Sequence, residues 1–322
     1  MLTPLRLETL LVKPEASYGV DATPGATDAL RMVDERLWTA IAPEHVFPND
    51  RYGVMNNSLI PLPGGSPRGR VMPIRGPWEV KGKGSAYAAE GDLEANPWFK
   101  ACGLSVAVDT TGGSEKLTYT PADTGHGSAC AYAYAGGQRY KPLGIRGDFV
   151  WKGEAGKLGR IDFDMRGLLA ANPDTQSVPS STFDSTTPPA AIGVGLSLNP
   201  GSAWTPGALG NWEFQLGNRV ETIEDAQAAD GLSSIEIVER KPLLIIEVQQ
   251  EALATYNPYS LLAAKTNHTA SLTLGQAQYN RLKLPITQMC LLKEPENIDY
   301  MGRGFAGWRL TYEVQAFTIV AD

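Results

Sequence analysis

Polar and apolar residues alternate with a period of two between Asp148 and Gly167, the pattern of a half-buried strand. Arg160, Asp162, Asp164 and Arg166 fall on one side and Ile161, Phe163 and Met165 on the other, while Gly153 to Gly156 predicts the turn of a hairpin. The alternation returns three times. In Leu243 to Glu251, Glu247, Gln249 and Glu251 oppose Ile246, Val248 and Gln250; in Trp308 to Phe317, Arg309, Thr311, Glu313 and Gln315 oppose Trp308, Leu310, Tyr312, Val314 and Ala316. Arg281 and Lys283 likewise oppose Leu282, Leu284 and Ile286. Long strands with one wet face predict a mostly β protein whose antiparallel sheet or barrel wall separates a core from an aqueous space.

Shorter strands are predicted at Val71 to Lys83, Lys116 to Thr120, Cys130 to Ala135, Trp212 to Leu216, Ile235 to Glu239 and Ser271 to Leu274. Gly136-Gly137 supplies a two-residue hairpin turn. Helices are predicted at Leu93 to Cys102 and Pro258 to Lys265, each opened by an Asn-Pro pair, Asn96-Pro97 and Asn257-Pro258, as N-cap and first helical residue. Each helix follows a long strand and precedes a Leu-Thr pair, an order that reads as a structural duplication. A further helix is expected from Thr27 to Leu37, with Leu30, Val33 and Leu37 at helical spacing. The rest of Leu7 to Arg70, broken by Pro43, Pro48, Pro61 and Pro63, reads as an extended arm and loop. Asn172 to Ala190 is rich in Ser, Thr and Pro and reads as a linker or exposed loop. The expected divisions are an arm (1–67), a first β module (68–171), the linker (172–190) and a second β module (191–322).

A net charge of −7 over 322 residues argues against broad nucleic-acid binding, which draws on a basic surface. The apolar run Leu243 to Ile246 is too short to span a bilayer, and no apolar signal-peptide core follows Met1 to Pro4. Three cysteines without CxxC spacing predict reduced thiols and no zinc site. Asp162 and Asp164 have the spacing of a metal-holding DxD pair, but Arg160 and Arg166 compete for them, and cross-strand pairing accounts for all four. His126 with Ser128 and Asp123 lacks a nucleophile elbow, and Val80 to Ser85 lacks the spacing of a phosphate loop. No catalytic, metal or cofactor-binding residue is therefore expected.

Several segments, in order, resemble the major tail tube proteins of long-tailed bacteriophages. They are Lys13 to Pro24 with its Tyr18-Gly19 step, Glu90 to Gly103 around Asn96-Pro97-Trp98-Phe99, Leu117 to Pro121, Gly144 to Phe149, and the Gly156 to Gly167 strand. The resemblance covers roughly residues 8–170; beyond it the duplication carries the reading. It implies tandem β-sandwich or barrel-like modules, each with a flanking helix. Six such modules per ring would close a large barrel around a DNA channel, so three two-module chains, or six chains, would make one ring.

On this reading Arg160, Asp162, Asp164, Arg166, Glu247, Gln249, Glu251, Arg309 and Glu313 line the lumen or meet a neighbouring subunit. The arm and the linker become the expected contacts between rings. The implied partners are further copies of the chain and tail terminator, tape measure and distal tail proteins. DNA passes without specific binding, and the implied location is the virion tail after synthesis in the host cytoplasm. Two alternatives remain: a carbohydrate-binding or carbohydrate-active β-sandwich using exposed Trp and paired carboxylates, and another virion component such as a tail terminator or capsid decoration.

Overall fold

The computed structural model describes residues 8–32, 44–45, 70–169, 171–201, 203–228 and 231–322. Strands dominate. In the first part of the chain β1 (Thr9–Pro14), β2 (Ala29–Leu30), β3 (Glu44–His45) and β4 (Arg70–Glu79) precede helix α1 (Asn96–Ala101). Then come β5 (Leu104–Asp109), β6 (Lys116–Pro121), β7 (Ala129–Ala135), β8 (Gln138–Tyr140), β9 (Leu143–Glu154), β10 (Arg160–Leu169) and β11 (Asp174–Thr175). The later part holds β12 (Gly195–Asn199), β13 (Leu209–Gln215), β14 (Asn218–Glu224), β15 (Leu232–Arg240) and β16 (Leu243–Gln249), followed by helix α2 (Pro258–Ala263). It ends with β17 (His268–Leu274), β18 (Leu282–Leu291), β19 (Glu296–Tyr300), β20 (Phe305–Phe317) and β21 (Ile319–Ala321).

The strands that position the candidate site form one antiparallel ladder in the order β4–β10–β9–β13–β16–β20. The ladder crosses from the first half of the sequence to the second at β9 and β13, where Glu154 to Val150 pair with Asn211 to Gln215. β20 is bordered by β19 along its beginning and by β18 along its end. A second ladder runs β12–β17–β18–β21–β6–β5, again with strands from both halves. A third, β2–β1–β7–β8–β11, is tied to β9 through Ala129 and Ile145. The hairpin β14–β15 pairs with no other strand among the described residues.

Alternation explains where the core sits. Trp78, Ile161, Trp151, Phe214, Leu244 and Tyr312 stand opposite one another, strand to strand, across the whole first ladder, and each is buried. Helix α1 presents Trp98 and Phe99 to this face; the Phe99 ring lies 5.5 Å from Phe149, 5.9 Å from Phe163 and 4.9 Å from Tyr119. Gly136 and Gly137, with φ of 60° and 79°, make the left-handed two-residue turn that their dipeptide predicts.

Three expectations are corrected and one is met. Residues 27–32 are not helical, because Ala29–Leu30 pairs with Leu10 and Leu11; the remainder of that predicted helix lies outside the described residues. The described part of the expected arm is body, since β1 lies along β7 and Leu10, Leu11 and Val12 are buried. Asn96 is not a cap but the first residue of α1, buried, with its Oδ1 accepting from the Tyr119 hydroxyl at 3.1 Å. Asn257 does cap α2, accepting from Ser260 N–H at 3.1 Å.

The Ser/Thr/Pro segment is fastened down rather than free. Thr182 N–H donates to Ala26 at 3.0 Å, Thr186 Oγ1 to the Lys83 carbonyl at 3.1 Å, and Asn280 Nδ2 to the Thr187 carbonyl at 3.0 Å. Val178 and Phe183 pack on Leu11, Tyr132 and Tyr134. Composition alone missed this because hydrogen bonds to the body, not apolar burial within the segment, fix its path.

Candidate functional site

The outward face of the first ladder gathers most of the charged positions noted in the sequence. One rung reads Glu79, Arg160, Lys152, Glu213, Ile245 and Thr311 from strand to strand, and the next reads Pro77, Asp162, Val150, Gln215, Leu243 and Glu313. Toward the turn end, Asn211 Nδ2 donates to Glu247 at 2.8 Å, and Arg309 bridges Glu247 at 3.1 Å and Glu296 at 3.9 Å. A groove of about 750 Å³ lies over this end, lined by Glu79, Lys152, Arg160, Glu213, Glu247 and Arg309 among others.

The charges pair within one chain, two of the pairs across strands and Arg160 with Asp162 along β10. Lys152 Nζ lies 2.9 Å from Asp162, Arg75 Nε 2.8 Å from Asp164, and Arg160 Nε 4.0 Å from Asp162. All are substantially exposed, so each contributes little to stability. Arg166 is exposed and has no ion-pair partner among the described residues. The metal reading of Asp162 and Asp164 loses its basis, because each oxygen cluster is neutralised by a cation, and no group of metal-holding side chains occurs among the described residues.

Asp148 stands directly across from Asp164. Burial, with a contribution from the Asp164 charge, pushes its carboxyl up to about 6, despite the Asn218 N–H that donates to it at 3.0 Å. A carboxyl raised by folding contributes stability that is complete below about pH 4 and lost as pH rises through about 6. Asp148→Asn is therefore expected to melt above the native protein at pH 8, by an amount on the order of 2–3 kcal/mol, and level with it at pH 4. Thermal melts across that range check it; a constant difference at all pH values would contradict it.

Not every predicted position joins the face. Gln249 and Glu313 do, but β16 ends at Gln249, and Glu251 turns away to accept from Trp204 Nε1 at 3.0 Å and Gly207 N–H at 2.8 Å. Arg281 and Lys283 lie on the second ladder and clamp Asp322 at 2.7 and 2.6 Å. Conversely Arg75, Asp148, Lys152, Asn211 and Glu213 belong to the face and were missed. Their strands carry Pro73, Pro77 and Val150 among the outward positions, which blurs the period.

The remaining candidates resolve as packing. Lys81 is buried against Glu94 at 2.8 Å, and Ser128 Oγ donates to Glu15. His126 lies half-buried against the Ala122 carbonyl. Cys102 and Cys130 are buried, which pushes both thiols up, and Cys290 is half-buried. Trp78, Trp98, Trp151 and Trp308 are fully buried, with Trp212 at 3% and Trp204 at 8% exposure, so the described residues offer no tryptophan platform for a sugar. No helix among the described residues is long and apolar enough to cross a membrane. No family model and no curated protein matches the chain.

Proposed function

We propose that this chain is a structural subunit of a phage tail tube, polymerising into stacked rings around a channel for DNA. The observation that carries the reading is the polar-faced ladder that runs unbroken through both halves of the sequence, with an edge at β4 and another at β19 along the beginning of β20. On one side β4 meets, among the described residues, only the two of β3, at Arg70 and Val71; on the other the five-residue β19 borders the beginning of β20, while β18 borders its end and joins it to the second ladder. Wide sheets with open edges invite pairing with another chain, and closure into a ring of subunits removes the edges. Pro73 and Pro77 lack an N–H and so occupy β4 positions that point away from β10, which leaves the closing contact there dependent on side chains.

The tandem-module reading is supported by a repeated pairing. β4 is followed by α1 and the hairpin β5–β6 and pairs with β10; β16 is followed by α2 and the hairpin β17–β18 and pairs with β20. Two modules per chain make three chains per ring. The face turned to DNA mixes both signs, with Glu79, Asp162, Asp164, Glu213, Glu247 and Glu313 against Arg75, Lys152, Arg160, Arg166 and Arg309. A lining of nearly balanced sign, its cations largely paired with carboxylates, offers fewer phosphate contacts than a basic one and so holds DNA less tightly. Tail terminator, tape measure and distal tail proteins are the partners this role requires.

Negative-stain images of the concentrated protein are expected to show hollow tubes whose mass per unit length corresponds to three chains per ring. Six chains per ring would reject the two-module reading. Dispersed monomers, or rings that do not stack, would reject the tube.

A further inference from the structure

Five of the nine exposed large apolar side chains among the described residues stand in two groups at the two ends of the polar ladder. At one end the hairpin β14–β15 exposes Ile223 (40%) and Val238 (51%). Its other face is fixed to the body: Ile235 is buried, its N–H bonded by the Tyr18 hydroxyl at 2.6 Å and its carbonyl accepting from Arg146 Nη1 at 2.8 Å. The foot is held as firmly, with Arg240 donating to the carbonyls of Cys102, Gly103 and Ala122 and Asn218 Nδ2 donating to those of Cys102 and Gly147. A two-stranded ribbon is marginal alone, so this anchoring is what presents its uncovered face in one fixed orientation.

At the opposite end, the turn between β9 and β10 is bonded to Ala191 and to Gly210, and Gly210 lies against Met301. This rim exposes Leu158 (42%), Ile192 (66%) and Phe305 (60%). Arg303 beside them is exposed and has no ion-pair partner among the described residues. The hairpin, by contrast, is net acidic, with Glu221, Glu224, Asp225, Glu236 and Glu239 against Arg219 and Arg240, although Arg219, Arg146 and Lys241 pair with Glu221, Glu236 and Glu239.

We propose that the uncovered face of the β14–β15 hairpin seats on the Leu158, Ile192 and Phe305 rim of a second copy of this chain in the next ring. The inference rests on the tail tube reading. Two different apolar patches at opposite ends of the same strands, one on a net acidic hairpin and one beside Arg303, unpaired among the described residues, make a head-to-tail contact, and repetition of such a contact gives an open filament. It also assigns ring stacking to residues 218–240 in addition to the arm and linker.

The test pairs two double variants, Ile223→Glu/Val238→Glu and Ile192→Glu/Phe305→Glu, all at exposed positions, with thermal melts as the control for folding. Each is expected to melt like the native protein and to raise the concentration needed for tubes by at least about tenfold, leaving protomers or single rings. Tubes at the native concentration from both variants would overturn the proposal and leave the tube reading standing. Failure of the native protein itself to polymerise would remove that reading and the proposal with it.

Discussion

Gly153→Val is expected to cost about 3 kcal/mol or more, measured by urea unfolding, and to be the most damaging single substitution on the ladder. Gly153 stands directly opposite Trp212, at the step where strands from the two halves of the sequence join. A Cβ at Gly153 would lie 2.4 Å from the Trp212 ring, which is 3% exposed and packed edge-to-face on Trp151 at 5.1 Å. The indole is rigid, buried and packed on Trp151, so the strands must part or the ring must shift out of its place in the core. Trp212→Leu in the same chain should recover part of the loss, and the two substitutions should couple with opposite sign. A Gly153→Val protein as stable as the native would show that β9 and β13 are not joined as described.

Glu94→Gln should cost about 3 kcal/mol, because it leaves the buried Lys81 ammonium with only the partly exposed Asp184 carboxylate, 3.7 Å away, as counter-charge. The two side chains are 5% and 4% exposed and 2.8 Å apart. Glu94 also accepts from Arg31 N–H at 2.7 Å and from Trp78 Nε1 at 3.3 Å, while Lys81 donates to the Asp184 carbonyl at 2.9 Å. One ion pair thus ties the N-terminal strands, the core edge at Trp78 and the Ser/Thr/Pro segment. Lys81→Met added to Glu94→Gln should return much of the stability, since an apolar replacement of a buried pair is close to neutral. Urea midpoints for the single and double variants check this, and an additive loss in the double variant would contradict it.

The long strands were legible in the sequence because a wall between core and water imposes a period of two, which Arg160 to Arg166 keeps without interruption and Trp308 to Ala316 keeps except at the buried Thr311. Asn257-Pro258 was legible as a helix start for a local reason, the cap bond to Ser260. What was not legible depends on distant partners. Ala29–Leu30 has helical neighbours in sequence but is drawn into a strand by Leu10 and Leu11, and Asn96 gives up its capping role to meet Tyr119. Alternation also fixes two faces of a strand without saying which strands share a wall. Thus Arg281 and Lys283 carry the same pattern as Arg309 yet lie on another ladder, and Glu251 leaves the face because its strand stops two residues earlier. The β14–β15 hairpin gave only the prediction of one strand, and its exposed Ile223 and Val238 could be recognised only once the pairing showed which face of the hairpin meets the body.

A cryo-electron microscopy reconstruction of the assembled protein, at a resolution that separates strands, tests the central claim most directly. The account predicts a hollow tube of stacked rings, three chains to a ring, with the rung of Arg160, Lys152 and Glu213 facing the lumen and the rung of Ile161, Trp151 and Phe214 facing away from it. A tube with the polar rungs on its outer surface, or a particle in which the ladder lines no channel, would contradict it.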